Sequence, residues 1–357
     1  MHNRRMFVFP AALLMTATLA PARPPATPTA PPVREPAALG LAVNVPDAAP
    51  AAQRQKALEE VRAAGVSLFA LVVSWPTAEP SPRRYDVEVV TRTARVMRQS
   101  GAVLHLDLPL VNGRVRQVPA DLAAMPFDDP KLSVRLGRLL DALGPALADF
   151  STLSLGNDAD SYFADKPQEL QAFLSLFRGA VEFLRKKAPR LLVGVATAVP
   201  MDTRFPLVAA AIHQKSPVLF YLYAPFLPDA PFTHRPPQTI DRDWAAILSG
   251  AAGRPVAFTE VSFSSARQNG SSPERQADFV RRMRRILDRT ERSRLLFARY
   301  VPWRDPAPSP TPPEDPQNPI VARRAAFLSN RGLQKPDGKP KPAWKAWATP
   351  RAPRPPD

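Results

Sequence analysis

Residues 152–160 read Thr-Leu-Ser-Leu-Gly-Asn-Asp-Ala-Asp, a short apolar run that breaks at Gly156 and continues into Asn157 and Asp158. The apolar run predicts a strand, and the glycine predicts where that strand ends. A second run, Pro-Val-Ala-Phe-Thr-Glu-Val over residues 255–261, also carries a lone carboxylate near its end, Glu260. Both strands are therefore predicted to end in polar side chains that could take part in chemistry.

Between residues 39 and 348 the chain alternates short apolar runs with segments of helical period. This alternation predicts parallel strands joined by helical crossovers. Strands are predicted over residues 41–45, 68–74, 103–107, 152–155, 191–196, 218–223, 256–261 and 295–301. Helices are predicted over residues 53–64, 86–100, 131–147, 168–188, 202–213, 240–250, 272–288 and 319–331. Eight strand–helix units favour a single-domain (β/α)8 barrel, the TIM barrel, over an open doubly wound sheet. No glycine-rich phosphate loop follows any of the predicted strands.

In such a barrel the functional site lies where the strands end. The polar and aromatic residues predicted at those ends are Asn44, Trp75, Asp107, Asn157, Asp158, Tyr223, Glu260 and Trp303. Pyranose rings stack their C–H faces on aromatic rings, and their hydroxyls need donors and acceptors, so this set indicates a carbohydrate ligand. Asp158 and Glu260 would supply the two carboxyl groups that hydrolysis of a glycosidic bond requires.

Four segments, in order along the chain, carry a family resemblance. They are Val73-Ser-Trp-Pro-Thr-Ala-Glu-Pro, Ser154-Leu-Gly-Asn-Asp, Ala257-Phe-Thr-Glu-Val-Ser-Phe and Gly332-Leu-Gln-Lys-Pro-Asp-Gly-Lys-Pro-Lys-Pro-Ala-Trp. They resemble segments of the large clan of retaining glycoside hydrolases with a (β/α)8 barrel, which includes cellulase-like and endo-galactanase-like enzymes. In that clan an Asn-Glu pair ends the fourth strand and a glutamate ends the seventh.

The resemblance implies a role for each matching residue. Glu260 would be the nucleophile and Asp158 the acid/base, while Asn157 would bond the sugar 2-hydroxyl. Tyr223 would lie against the nucleophile carboxylate, and Trp303 would be a stacking platform under the sugar. Further candidates for substrate binding are Trp75, which could equally be a core residue, Asp107 and Asn44.

The chain departs from the clan at the acid/base position, because Asp158 is shorter than the usual glutamate by one carbon–carbon bond, about 1.5 Å. Three outcomes are open. The loop could shift to restore the reach, the two carboxyls could straddle a water as in inverting enzymes, or protonation of the leaving group could fail. The last outcome would leave a barrel that binds glycans without turnover. Two alternatives are purely structural: Glu260 could form an ion pair with an arginine, and Asp158 could be a turn-forming residue.

The two ends of the chain differ from its middle in composition. Arg4 and Arg5, the apolar stretch 6–20 and the Ala-Pro-Ala at 20–22 predict a signal peptide over residues 1–22. A proline-rich linker is predicted over residues 23–38, and a Pro/Arg-rich tail over residues 349–357. The expected protein is therefore exported, to the periplasm or the extracellular space. It is expected to be a monomer, with no transmembrane segment beyond the signal peptide.

The net charge of +16 raises the question of a polyanion partner. The arginines are spread over the predicted helices, without a helix-turn-helix or an RNP pattern, so we expect no specific nucleic-acid site. An arginine-rich solvated surface is predicted, with a basic envelope protein that binds an anionic polymer as the alternative. The chain has no cysteine, which excludes disulfides and a thiol nucleophile. His105 and Asp107 share a strand face without further ligands, so no metal and no cofactor are expected.

Overall fold

The computed structural model describes residues 35–45, 49–201, 205–308, 315 and 317–349. The predicted signal peptide, most of the predicted linker and all of the predicted tail except Thr349 lie outside these residues. Residues from Glu35 onward form one compact unit. In the described part of the chain the barrel is built from eight strands: β1 (Ala38–Leu41), β2 (Leu68–Val72), β3 (Val103–Asp107), β4 (Thr152–Ser154), β5 (Leu192–Gly194 and Ala196–Ala198), β6 (Leu219–Tyr223), β7 (Val256–Val261) and β8 (Leu295–Tyr300).

All contacts between neighbouring strands of this sheet are parallel, and β1 lies between β2 and β8. The two edges of the sheet are the two halves of β5, which are separated in the chain by Val195 alone. The first half pairs with β4 and the second half pairs with β6. The sheet is therefore closed on itself except at this one residue, and the predicted (β/α)8 barrel is confirmed.

Each strand is followed by a helix, as the alternating pattern predicted. The helices are α1 (Ala51–Ala63), α2 (Glu88–Gln99), α3 (Pro130–Leu147), α4 (Leu170–Lys187), α5 (Pro206–Gln214), α6 (Thr239–Gly250), α7 (Pro273–Arg289) and α8 (Pro319–Asn330). Their starts carry local signals. Asp129 accepts a hydrogen bond from Lys131 N at the first turn of α3, and Ser272 accepts one from Arg275 N at the first turn of α7.

Side chains alternate between two cores along the strands. A small cluster inside the barrel contains Leu68, Phe220, Ala257 and Phe297. A much larger core lies between the sheet and the helices and contains, for example, Leu104 of β3. Because successive residues of a strand face opposite sides, a residue's position relative to these clusters tells which side chains reach the barrel mouth.

Smaller elements lie on the loops that follow the strands and, in one case, after α8. They are the hairpins Val111–Asn112/Val115–Arg116 and Phe226–Leu227/Ala230–His234, the short helices Trp75–Ala78, Ala159–Asp165 and Pro342–Ala348, and the 3-10 turns Ala120–Leu122, Pro167–Glu169 and Arg267–Asn269. None of the helices in the described part of the chain is long and apolar enough to span a bilayer.

The start of the barrel differs from the prediction. The first strand was expected over residues 41–45, but β1 runs over Ala38–Leu41, and Glu35 already pairs with Arg292. Residues 35–38 therefore belong to the barrel and not to the linker. The reason is pairing: β1 aligns with β8 from Ala38↔Phe297 to Leu41↔Tyr300, and this register outweighs the weak strand preference of an alanine-rich segment.

Candidate active site

Glu260 reaches the barrel mouth because of an irregularity in β7. Phe258 pairs with Tyr221 of β6, but Glu260 pairs with Leu222, so Thr259 is an extra residue in β7. Tyr221 belongs to the outer core, whereas Leu222 packs on the cluster inside the barrel. The extra residue therefore turns Glu260 towards the inside, as bulges beside functional sites commonly do.

Asn157 connects the ends of β4 and β7. Its Nδ2 donates to Glu260 Oε1 at 3.2 Å and lies 3.3 Å from Asn112 Oδ1. Its backbone N–H also donates to Val111 O, and Gly113 N donates back to Asn157 O. The hairpin after β3 thus fixes the Asn157 side chain, and the structure brings the two predicted strand ends together.

Asp158 follows in the left-handed region, with φ 49° and ψ 41°. An aspartate tolerates this backbone better than most residues. Its Oδ1 accepts a hydrogen bond from Ser161 Oγ at 2.9 Å. Burial raises the pKa of this carboxyl to about 6, with the negative charges of Asp160 and Glu260 adding to the shift and Ser161 and Arg114 opposing it.

Asp107 is a third carboxylate in the mouth. It ends β3, is 8 % exposed, and its Oδ1 accepts no hydrogen bond from the described residues. Burial raises its pKa to about 6; the nearby Arg299 guanidinium lowers it, and the charge of Glu260 raises it further. Arg299 donates from Nε to Thr259 O at 2.9 Å. Gly40 leaves room for Leu68 and this arginine inside the barrel, since a Cβ at Gly40 would lie 2.5 Å from Leu68 Cδ2 and 3.1 Å from Arg299 Cβ.

Three further residues at the mouth were not singled out from the sequence: Asn112, Gly113 and Arg331. Asn112 ends the first strand of the hairpin after β3 and pairs with Val115, and Gly113 begins the two-residue turn. A glycine at the first position of a two-residue turn is a hairpin signal that could have found them. Arg331 follows α8 and lies close enough to Glu260 for that carboxylate to raise its pKa, although burial lowers the pKa more strongly. No local motif marks this arginine, because only the fold brings it to the mouth.

The prediction for Tyr223 needs a correction. The ring lies between β6 and the helices, near Trp244 of α6 and Phe279 of α7. Its hydroxyl donates to Asp243 Oδ2 at 3.0 Å, and Asp243 also pairs with Arg235 at 2.8 Å. Tyr223 pairs with Val261 on the outward face of the sheet and therefore does not lie against Glu260.

The two predicted tryptophans are also core residues. Trp303 is fully buried, with the Arg304 guanidinium 3.9 Å from its ring centroid and Trp344 beside it, so it offers no open face to a sugar. Trp75 is fully buried as well, and its Nε1 donates to Glu79 Oε2 at 2.7 Å. This agrees with the alternative reading of Trp75 as a core residue.

Asn44 has a structural contact in place of the expected substrate-binding role. Its Nδ2 donates to Arg304 O at 2.9 Å, and its Oδ1 accepts from Arg304 N at 2.9 Å. The amide therefore clamps the segment after β1 to the segment after β8. Both polar ends of the side chain are used in this clamp.

No group of three His, Asp or Glu side chains among the described residues could hold a metal ion. His105 lies inside the barrel, where its Nδ1 is 2.8 Å from Thr152 Oγ1. Burial lowers the pKa of His105 to about 3, and the positive charge of Arg299 adds to this shift. The imidazole is therefore neutral at ordinary pH and belongs to the packing of the barrel interior.

Comparison with protein-family models and with curated protein sequences gives no match. Solved structures do match. A GH5_18 variant from Streptomyces cattleya in complex with Manb1-4GlcNAc superposes with a TM-score of 0.64 at 17% identity, over 89% of this chain and 83% of that chain. The fold is that of the glycoside hydrolase barrels. Xylanase 10B from Thermotoga maritima gives a TM-score of 0.59 at 12% identity, over 87% of this chain and 93% of that chain.

The exo-beta-1,4-mannosidase Op5Man5 from Opitutaceae bacterium strain TAV5 gives a TM-score of 0.61 at 16% identity. The superposition covers 87% of this chain but 58% of the mannosidase, which is the longer protein. These glycoside hydrolase barrels share their architecture with this chain at low sequence identity. The chemistry of this chain must therefore be argued from its own residues.

Proposed function

We propose that this protein is an exported glycoside hydrolase that cleaves glycosidic bonds of a poly- or oligosaccharide. Glu260 acts as the nucleophile and Asp158 as the acid/base. The observation that carries the proposal is the contact of Asn157 with Glu260, which joins the ends of β4 and β7 at one mouth with Asp158 as the next residue. Two carboxyl groups on strand ends at one barrel mouth are what glycoside hydrolysis requires.

The chemistry follows from the two carboxyls. Asp158 donates its proton to the glycosidic oxygen while the bond from that oxygen to the anomeric carbon breaks. In a retaining route Glu260 attacks the anomeric carbon, and a water deprotonated by Asp158 later releases the sugar. In an inverting route Glu260 takes a proton from the attacking water, and the separation of the two carboxyls decides between the routes.

The electrostatics of the site fit this division of labour. An acid catalyst must hold its proton near the working pH, and the pKa of Asp158 is raised to about 6. Glu260 accepts the Asn157 amide N–H, which is a contact that suits a carboxylate oxygen. The Streptomyces cattleya neighbour in complex with Manb1-4GlcNAc and xylanase 10B from Thermotoga petrophila RKU-1 in complex with xylobiose support a carbohydrate as the ligand class.

The test is a panel of aryl glycosides and plant or bacterial polysaccharides, assayed with the wild type and with Glu260→Gln. We expect at least one member to be hydrolysed, with a loss on the order of 1000-fold or more in Glu260→Gln. The matched control is Glu182→Gln, which makes the same change at an exposed position of α4 and should keep wild-type rates. Equal rates of wild type and Glu260→Gln on every member would reject the proposal.

A second candidate function is a barrel that binds glycans without turnover. It is favoured by the short side chain of Asp158, whose Oδ1 already accepts a hydrogen bond from Ser161. The absence of an open ring face on Trp303 also favours it, because a platform under the sugar is lost. Asp158→Glu separates the two functions: a large gain in turnover supports the impaired barrel, and a loss supports a site adapted to aspartate.

Export is part of the proposal because of the predicted signal peptide over residues 1–22. Expression of the full chain in a bacterium, followed by fractionation and N-terminal sequencing, tests it. We expect a periplasmic or secreted product that begins near residue 23. A full-length cytoplasmic product would contradict export and would leave the proposed chemistry untouched.

A further inference from the structure

An exposed valine lies inside the barrel mouth. In β2, Leu68 packs in the cluster inside the barrel, and Leu71 packs on the outer core. Alternation therefore places Val72 on the inner face, in register with Asp107 of β3. Val72 is nevertheless 63% exposed. Because its side chain faces inward at the end of the strand, this exposure opens into the mouth beside the acidic residues.

A second apolar residue lies across the barrel. Leu222 of β6 packs on the inner cluster, pairs with Glu260, and is only partly buried. Its other neighbour in the sheet is Ala198, the last residue of β5. Around the closed sheet β2 and β6 are four strands apart in either direction, so Val72 and Leu222 lie on opposite sides of the mouth.

These positions change what the mouth can recognise. A sugar hydroxyl held against Val72 or Leu222 would lose its hydrogen bonds to water and gain no partner, which costs binding free energy. A deoxy position or an acyl group in the same place would instead bury apolar surface. The polar groups of the site lie after β4 (Asn157 and Asp158) and in β7 (Glu260), and they can hold the reacting bond at the same time.

We propose that the sugar unit bound at the mouth carries an apolar substituent in place of a free hydroxyl, as a deoxy sugar or an acylated sugar does. This proposal rests on the proposed function, because that function makes the ligand a sugar. It adds the class of sugar that is bound. Val72 is then the specificity-determining residue that contacts the substituent, and Leu222 lines the opposite side of the mouth.

The test measures binding to Glu260→Gln by calorimetry, so that it does not depend on turnover. The probes are methyl D-glycosides in matched sets: galactoside and fucoside, mannoside and rhamnoside, glucoside and quinovoside, together with an O-acetyl ester of each hydroxylated member. In at least one set we expect the deoxy member or the ester to bind about 10-fold tighter or more than the hydroxylated member. Tighter binding of the deoxy member alone identifies a deoxy sugar, and tighter binding of the ester alone identifies an acylated one.

Val72→Thr, made in the same background, keeps the size of the side chain and adds a hydroxyl. It should reduce the preference about 10-fold, while Val96→Thr, at a 60% exposed position of α2, should leave it unchanged. The inference is overturned if hydroxylated members bind as tightly as their counterparts, if no probe binds, or if Val72→Thr keeps the full preference. Failure of the proposed hydrolysis is read separately, from the wild-type rates on the glycoside panel.

Discussion

Asp158 combines a left-handed backbone, a hydrogen bond from Ser161, and a position next to the asparagine that contacts Glu260. The left-handed backbone turns the chain from β4 into the short helix Ala159–Asp165. Burial makes its ionised form costly, so the carboxyl holds its proton to a higher pH than an exposed aspartate. The residue therefore has the protonation behaviour of a general acid, although its arm is shorter than that of a glutamate.

This assignment predicts a pH dependence of activity. A general acid must be protonated, so kcat/KM should fall as the pH rises through about 6, the raised pKa of Asp158. Asp158→Asn should remove this alkaline limb together with most of the activity, and Asp107→Asn should retain it. Rates over pH 4 to about 9 on one alkyl glycoside, whose leaving group needs protonation, would show it. A limb that survives in Asp158→Asn and disappears in Asp107→Asn would transfer the acid role to Asp107.

Asp107 predicts a pH dependence of stability. Its folded pKa of about 6 lies above the ordinary value of 3.8, so the native state binds more protons than the unfolded state between these values. The contribution of protonated Asp107 to the free energy of unfolding is therefore lost as the pH rises from about 4 to about 6. Asp107→Asn should raise the free energy of unfolding at pH 7 by roughly 1–3 kcal/mol and should change it little near pH 4.

Urea unfolding of wild type and Asp107→Asn at the two pH values measures this difference. Asp229→Asn is the matched control, because Asp229 is exposed in the turn of a hairpin and an asparagine suits that turn equally well. Equal stability gains for both variants, or a gain that persists at pH 4, would contradict the effect assigned to Asp107.

At the scale of elements, the hairpin Val111–Asn112/Val115–Arg116 holds the site together. Gly113 in its turn has φ +56°, and a Cβ there would lie 3.5 Å from Asp158 Oδ2. Gly113→Ala should cost about 1–2 kcal/mol of stability for the left-handed backbone. It should also lower activity, because the turn directly follows Asn112, which contacts Asn157.

Gly65→Ala provides the matched control for the hairpin. Gly65 follows α1 with φ +88°, and no atom lies within 4 Å of the position of its Cβ. The two variants should lose similar stability in thermal unfolding, but only Gly113→Ala should lose activity at a temperature where both are folded. A similar loss of activity in both would show that the hairpin has no separate effect on the site.

The elements themselves were largely predictable from the sequence. The strands over residues 103–107 and 256–261 have the predicted bounds, because each is a strongly apolar run bounded by polar or turn-forming residues. The alanine-rich β1 was predicted three residues too late, since its pairing with β8 decides its position and an isolated segment carries no sign of that pairing.

The orientation of side chains was less predictable than the elements. Glu260 faces the mouth because Thr259 is an extra residue in β7, and such a register shift depends on the neighbouring strand. Tyr223, one strand away, faces the helices, and the aromatic platform expected from Trp303 is covered by Arg304. Position at a strand end can be inferred from the sequence, but the face that a side chain occupies depends on the assembled sheet.

At the scale of the whole molecule, the barrel closes where its first and last strands meet. β1 pairs with β8, Ala42 N donates to Tyr300 O at 2.9 Å, and Trp303 N donates to Ala42 O at 2.8 Å. Asn44 extends this seam with its two hydrogen bonds to the backbone of Arg304. The seam joins residues that are far apart in the sequence, so it forms only when the whole barrel is assembled.

Asn44→Ala tests the seam. It should lower the free energy of unfolding by about 1 kcal/mol, because two hydrogen bonds are lost at an exposed position. KM and kcat should stay at wild-type values, since both polar ends of Asn44 are used within the protein. Gln53→Ala, an exposed position of α1, should change stability by less than about 0.5 kcal/mol. A selective rise in KM in Asn44→Ala would restore the substrate-binding role.

The central claim is that Glu260 and Asp158 act on the same glycosidic bond in different roles. Its most direct test is the dependence of hydrolysis on the leaving group in Glu260→Gln and Asp158→Asn. Without its acid, Asp158→Asn should keep kcat/KM, which reports the bond-breaking step, near the wild-type value on dinitrophenyl glycosides and lose about 100-fold or more on alkyl glycosides, which need protonation to leave. Glu260→Gln should lose activity on both classes of glycoside. The assignment of roles is contradicted if Asp158→Asn loses activity on both classes, or if Glu260→Gln keeps activity on either class.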